Sequence, residues 1–202
     1  TGGNSIFGPG VHGEYGHPWD IMGNAYAHGD FSASMRNRLW WLPDDNAYYA
    51  VTGGTHRLYA YDHNTPMDFT VDPPTYLMAL AIPRDGRNFV FEYRNNTNFF
   101  GTGNKNVLNG LILQADGGFG GGPELMDCTP ETPGNGDPAI VIGRMFTDPT
   151  INLHVTPIAR GPLSRTNWID LVVNRNSQMS SAAPALVVSA SAYTTTVGVA
   201  VT

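Results

Sequence analysis

The sequence predicts a mainly β fold: an antiparallel β-sandwich preceded by an irregular glycine-rich loop and one α-helix. Three observations carry this. Glycine and proline occupy 24 and 15 of 202 positions, and both weaken helices while supplying turns, which excludes a helix bundle. Short runs rich in branched and aromatic residues then recur: YLMALAIP (76–83), FVFEYR (89–94), VLNGLILQA (107–115), AIVIGRMF (139–146), INLHVTPIA (151–159) and WIDLVVN (168–174). Turn clusters such as Pro83-Arg84-Asp85-Gly86 and Pro133-Gly134-Asn135-Gly136-Asp137 separate them. Short strands at this spacing build a sandwich or a barrel.

Taken in order, residues 1–30 hold eight glycines, and neither a helical nor a strand period survives so many, so the segment reads as loop. Residues 31–42, FSASMRNRLWWL, read as a helix with Phe31, Met35, Leu39 and Leu42 on one face, Asp30 or Ser32 as N-cap and Pro43 as terminator. The stretch 116–123, DGGFGGGP, reads as a surface connection. Phosphate binding there is disfavoured, because no helix or Lys follows it. Three segments result: 1–46 with the loop and helix, 47–177 with the β-sandwich, and 178–202 rich in Ser, Thr, Ala and Val.

Charge and cysteine content narrow the function classes. Charged residues are 14% and the net charge is −6, so the concentrated positive charge that a phosphate backbone needs is missing and nucleic acid is not an expected partner. No apolar run approaches the ~20 residues of a membrane span. No basic segment followed by an apolar stretch opens the chain, so no signal peptide is expected within it. The single Cys128 excludes an intramolecular disulfide scaffold and reads as a buried apolar side chain.

The densest chemistry-bearing cluster is His12, Glu14, His17 and Asp20. Imidazole and carboxylate suit a transition metal such as zinc, but His12 and His17 lack the one-turn helical spacing of an H-E-x-x-H pair. Metal ligands and hydrogen-bonded loop histidines therefore stand as alternatives. Trp40, Trp41, Tyr48, Tyr49, Tyr59, Tyr61, Phe99 and Phe100 could stack on sugars, with strand-face packing the favoured reading. Asn95-Asn96-Thr97 is the one N-x-[ST] acceptor and marks Asn95 as a glycosylation candidate in an exposed loop.

EYGHPWDIMGN followed by HGDFSASMRNRLWWL resembles the Met-turn region of gametolysin-like and immune-inhibitor-A-like zinc metallopeptidases. The turn is Asp20-Ile21-Met22-Gly23, and the helix pattern is carried by Phe31, Ala33, Arg36, Leu39, Trp41 and Leu42. His17 departs from it, standing where the pattern has Asp. FVFEYRNN, NGLILQAD, ELMDCTPET and AIVIGRMFTDPTINLHVTPI resemble later segments of the same family in the same order, over roughly residues 12–175. The resemblance implies a secreted, extracellular protein in which Asp20, Met22 and Gly23 form a structural Met-turn. It also implies zinc held by an H-E-x-x-H-x-x-G-x-x-H segment upstream of that turn, with Met22 beneath the ligands. No HExxH occurs in the 202 residues, so no catalytic residue, metal ligand or cofactor is expected in this chain.

Two functions follow as expectations. One is a non-catalytic extracellular β-rich module on a metallopeptidase scaffold, with a structural or assembly role. The alternative is the C-terminal supporting region of an active gametolysin-like metalloendopeptidase. Residues 185–202 carry no charge and no proline and alternate apolar with small polar residues. That pattern predicts a strand, added to the chain's own sandwich or donated to a second copy in an oligomer or filament.

Overall fold

The computed structural model describes residues 4–5, 8–9, 15–23, 30–42, 44, 48–50, 53–62, 76–96, 106–117, 122–162 and 167–175. Two sheets form the body. The smaller runs β10 (Phe146–Asp148), β11 (Leu153–Arg160), β12 (Trp168–Arg175) and β4 (Gly54–Tyr59), all antiparallel. The larger runs β3 (Tyr48–Ala50), β5 (Ala79–Arg84), β6 (Arg87–Glu92), β7 (Gly110–Asp116) and β8 (Pro123–Met126), antiparallel except for the parallel β3–β5 pair. Strand β9 (Ile140–Val141) shares the far edge of β7 with β8, pairing at Gly110 and Leu111. A minimal hairpin of β1 (Asn4–Ser5) and β2 (Gly8–Pro9) precedes them.

Alternation explains why the sheets stack. Phe89, Phe91 and Tyr93 point one way, with Leu80 and Ile82 of β5 and Leu111 and Leu113 of β7. They meet Leu153, Val155, Ile169, Leu171, Val173 and Leu58 of the small sheet in one buried cluster. Phe146 closes one side, edge-on to Phe89 at 5.3 Å and Phe91 at 5.9 Å. The fold is the mainly β, sandwich-like architecture that the spacing of strands predicts. At the β5–β6 hairpin Asp85 (φ 46°) and Gly86 (φ 75°) are both left-handed, the geometry a two-residue turn requires and Asp-Gly supplies.

The other face of the large sheet is covered too. Helix α1 spans Ala33–Arg38, with Ser32 as N-cap and its Oγ accepting from Met35 N. Ala33, Leu42 and Tyr61 pack on Met78, Ala79, Ala81 and Val90. Of the face expected from Phe31, Met35, Leu39 and Leu42, Leu42 is buried and Phe31 and Met35 are half-buried, whereas Leu39 is corrected to exposed; within the helix Ala33 and Ser34 are the buried residues. The helix lies by its N-terminal turn, where small side chains allow close approach, and it ends before Leu39 can reach the sheet. The segment 139–146 also divides, into β9 and β10, at a turn where Gly143 has φ 85°. The segment boundaries expected near residues 46 and 178, and the whole 178–202 segment, lie outside the described residues.

Candidate functional site

Chemistry-bearing side chains concentrate between this covering layer and the large sheet. Asp20 anchors the layer. Its Oδ1 accepts from Met22 N at 2.8 Å and its Oδ2 from Ser32 N at 3.0 Å, while its carbonyl accepts from Gly23 N at 2.8 Å. One buried carboxylate therefore closes the Asp20–Gly23 turn and ties it to the start of α1. Gly23 is required there, since a Cβ would stand 2.4 Å from the His17 carbonyl oxygen.

The sheet supplies the partners. Because Phe89, Phe91 and Tyr93 face the core, Glu92 and Arg94 face the layer. Glu92 Oε2 accepts from Ala33 N at 2.7 Å and from the Tyr61 hydroxyl at 2.8 Å, a carboxylate at a helix N-terminus. Arg94 Nη1 donates to the Trp19 carbonyl at 2.8 Å and lies 4.0 Å from Glu92 Oε1, while its Nε lies 4.0 Å from Asp62 Oδ2. Asp62 also receives Asn95 N at 3.1 Å and Asn96 N at 2.9 Å. The Gln114 amide sits 3.1 Å from His17 Nε2 and 3.4 Å from Ser34 Oγ, and His17 Nδ1 accepts from Trp19 N at 3.3 Å. Ion pairs Arg36–Asp30 and Arg38–Asp116 rim the cluster.

Every central group is buried: His17 5%, Asp20 2%, Asp62 2%, and Glu92, Arg94 and Gln114 0% exposed. Burial, reinforced by the Arg94 charge, pushes His17 down to about 4. Burial pushes Glu92 up to about 7 against the opposing pull of Arg94 and its two hydrogen bonds. The two opposite shifts make a testable pair. Glu92 contributes stability that is present below pH 4.5 and lost as pH rises through about 7. His17 contributes stability that is present above pH 6.5 and lost as pH falls through about 4. Between pH 4.5 and 6.5 the two slopes oppose. Glu92→Gln should therefore leave a fold that gains stability as pH rises from 4 to 6.5, and His17→Gln one that loses it from 4.5 to 7. Urea midpoints across this range check the pair; equal pH slopes in both variants would refute the assignment.

The positions singled out from sequence fare differently. Asp20 and Gly23 lie in a hydrogen-bonded turn, and His17 is a hydrogen-bonded loop histidine. His12 and Glu14, with Phe99 and Phe100, lie outside the described residues. Trp19, Ile21 and Met22 are apolar residues in an otherwise polar loop, a composition that predicts contact with the helix at 31–42. Trp19 is buried instead against Val107, Leu108 and Ile112, while Ile21 and Met22 are exposed at 47% and 58%. Asn95 is 1% exposed, and its backbone N–H donates to Asp62 at 3.1 Å. Among the described residues no three His, Cys, Asp or Glu side chains converge on one point. Zinc does not fit His17 and Asp20, because both ring nitrogens and both carboxylate oxygens already face polar partners. The sequence does not single out Glu92, Arg94, Asp62 or Gln114, and Tyr61 enters it only as one of several aromatics. The signal was present in FVFEYR, whose alternation leaves two charges opposite an aromatic face.

No family model, curated protein or solved structure matches the chain.

Proposed function

We propose that this chain is a non-catalytic, extracellular β-sandwich module on a metallopeptidase-like scaffold, in which the Asp20–Gly23 turn clamps the covering layer to the sheet. The observation that carries the reading is the sealing of its polar cluster. A general acid, base or nucleophile must reach a substrate atom, and His17, Asp20, Glu92 and Arg94 are enclosed by the sheet and the covering layer. The hydrogen-bonded turn and the Gly23 requirement support a Met-turn-like role for Asp20, Met22 and Gly23.

A second reading has its own observation. Ile21 and Met22 project outward from a turn whose backbone is pinned by Asp20. An outward methionine on a fixed turn suits a supporting region that packs beneath a zinc site carried on further chain. One experiment separates the readings: zinc content and casein hydrolysis, measured on the 202-residue chain and on the full product of its gene. The shared expectation is no hydrolysis by the 202-residue chain, even with zinc added. Zinc and hydrolysis in the full product favour the supporting region; neither favours the structural module. Hydrolysis by the 202-residue chain itself would overturn both.

A further inference from the structure

A groove of about 260 Å³ opens at the side of the sandwich where β8 and β10 end their sheets, lined by Met126, Cys128, Ile140, Met145 and Phe146. Asp127, Arg144 and Thr147 also line it, Met145 is 57% exposed within it and Ile142 37% exposed nearby, and Arg144 is paired with Glu131 at 2.6 Å. Among the described residues no strand pairs with the outer edge of β10. A strand edge with no partner among the described residues, beside a groove floored by Met126, Ile140 and Phe146, is a template for another strand.

We propose that residues 185–202 of the same chain add as a fifth strand to the outer edge of β10, laying Leu186, Val188, Ala190 and Ala192 into this groove. Chain direction and reach select this occupant. Arg175, where β12 ends, pairs with Leu153, which pairs with Asp148 of β10. Two antiparallel steps make β10 parallel to β12, so a segment folding back from Arg175 meets β10 antiparallel, at its Asp148 end. The crossing covers three strand spacings, ~14 Å, and residues 176–184 can span ~30 Å. A tether of that length holds the segment at an effective concentration in the ~mM range, which favours it over a second copy. Its composition suits the site: from 186 to 192 apolar residues recur at every second position, and no charge falls between 176 and 202. This proposal does not depend on the metallopeptidase reading.

Cys128, half-buried in the groove wall, serves as the probe. The full chain should be monomeric by light scattering and react slowly with a thiol reagent. Removing 185–202 should leave a monomer, speed Cys128 labelling at least about tenfold and accelerate amide exchange across 145–148. Leu186→Asp should reproduce that effect and Val187→Asp should not, which keeps the test valid if the truncated chain folds poorly. Unchanged labelling and exchange in both truncation and Leu186→Asp would overturn the proposal. A full-length oligomer that dissociates on truncation would overturn it in favour of a strand donated between copies.

Discussion

Replacing Arg94 with methionine is expected to cost about 3–5 kcal/mol of stability, the range seen when one member of a buried charge cluster is removed and the others stay. Arg94 is fully buried, donates to the Trp19 carbonyl at 2.8 Å, and lies 4.0 Å from both Asp62 and Glu92. Methionine matches much of its length but leaves Asp62 a buried anion without its cation. The loss should be larger at pH 8 than at pH 6. Glu92, pushed up to about 7, is mostly neutral at the lower pH and needs less compensation there. Urea denaturation at the two pH values measures both statements. A loss below about 1 kcal/mol would mean that the guanidinium gains little over the desolvation it suffers, and the cluster would not be the clamp described here.

The sandwich was legible where strands bury one face against the other sheet. In 89–94 and 168–174 the alternation of large apolar residues survives with little interruption, and β6 and β12 form there. Strand β4 was not legible, because Gly54–Tyr59 reads GTHRLY, with Leu58 its one fully buried residue. It is a strand because β12, more than a hundred residues later, pairs along its whole length, from Trp168–Tyr59 to Val173–Gly54. Tertiary pairing overrides weak local preference there. The helix was legible as a helix but only partly in orientation: of the periodic face Phe31, Met35, Leu39 and Leu42, Leu42 is buried with Ala33 and Leu39 is exposed.

The clamp divides along the same line. Asp20 and Gly23 form a turn whose internal hydrogen bonds span two or three residues, so their spacing carries that part, whereas the Asp20–Ser32 bond to the helix spans twelve. Glu92 meets Ala33 and Tyr61 across 59 and 31 residues, and Gln114 meets His17 across 97. Nothing local distinguishes a glutamate beneath a helix N-terminus from one facing solvent. What can be read is the conflict in FVFEYR, where a strand with one core face carries two charges on the other. A large antiparallel sheet often leaves that face to water; here a loop and a short helix cover it.

Trp19 tests whether the covering layer is part of the cooperative fold. Its side chain is 7% exposed and packs with Val107, Leu108 and Ile112, while its carbonyl receives Arg94 and its N–H meets His17. Trp19→Ala removes the indole and leaves the loop to those backbone contacts and the Asp20–Ser32 bond. A loss of about 3–5 kcal/mol is expected, a fall in melting temperature on the order of 10 °C for a chain of this size. Met22→Ala, three residues away but 58% exposed, should stay within about 0.5 kcal/mol. The contrast is the informative quantity, because the two residues share a loop and differ in what they touch. Equal effects would show that the loop is held through Met22 as much as through Trp19. No effect from Trp19→Ala would show that residues 15–23 detach before the sandwich unfolds, so that the polar cluster beneath them reaches water in the ordinary native ensemble.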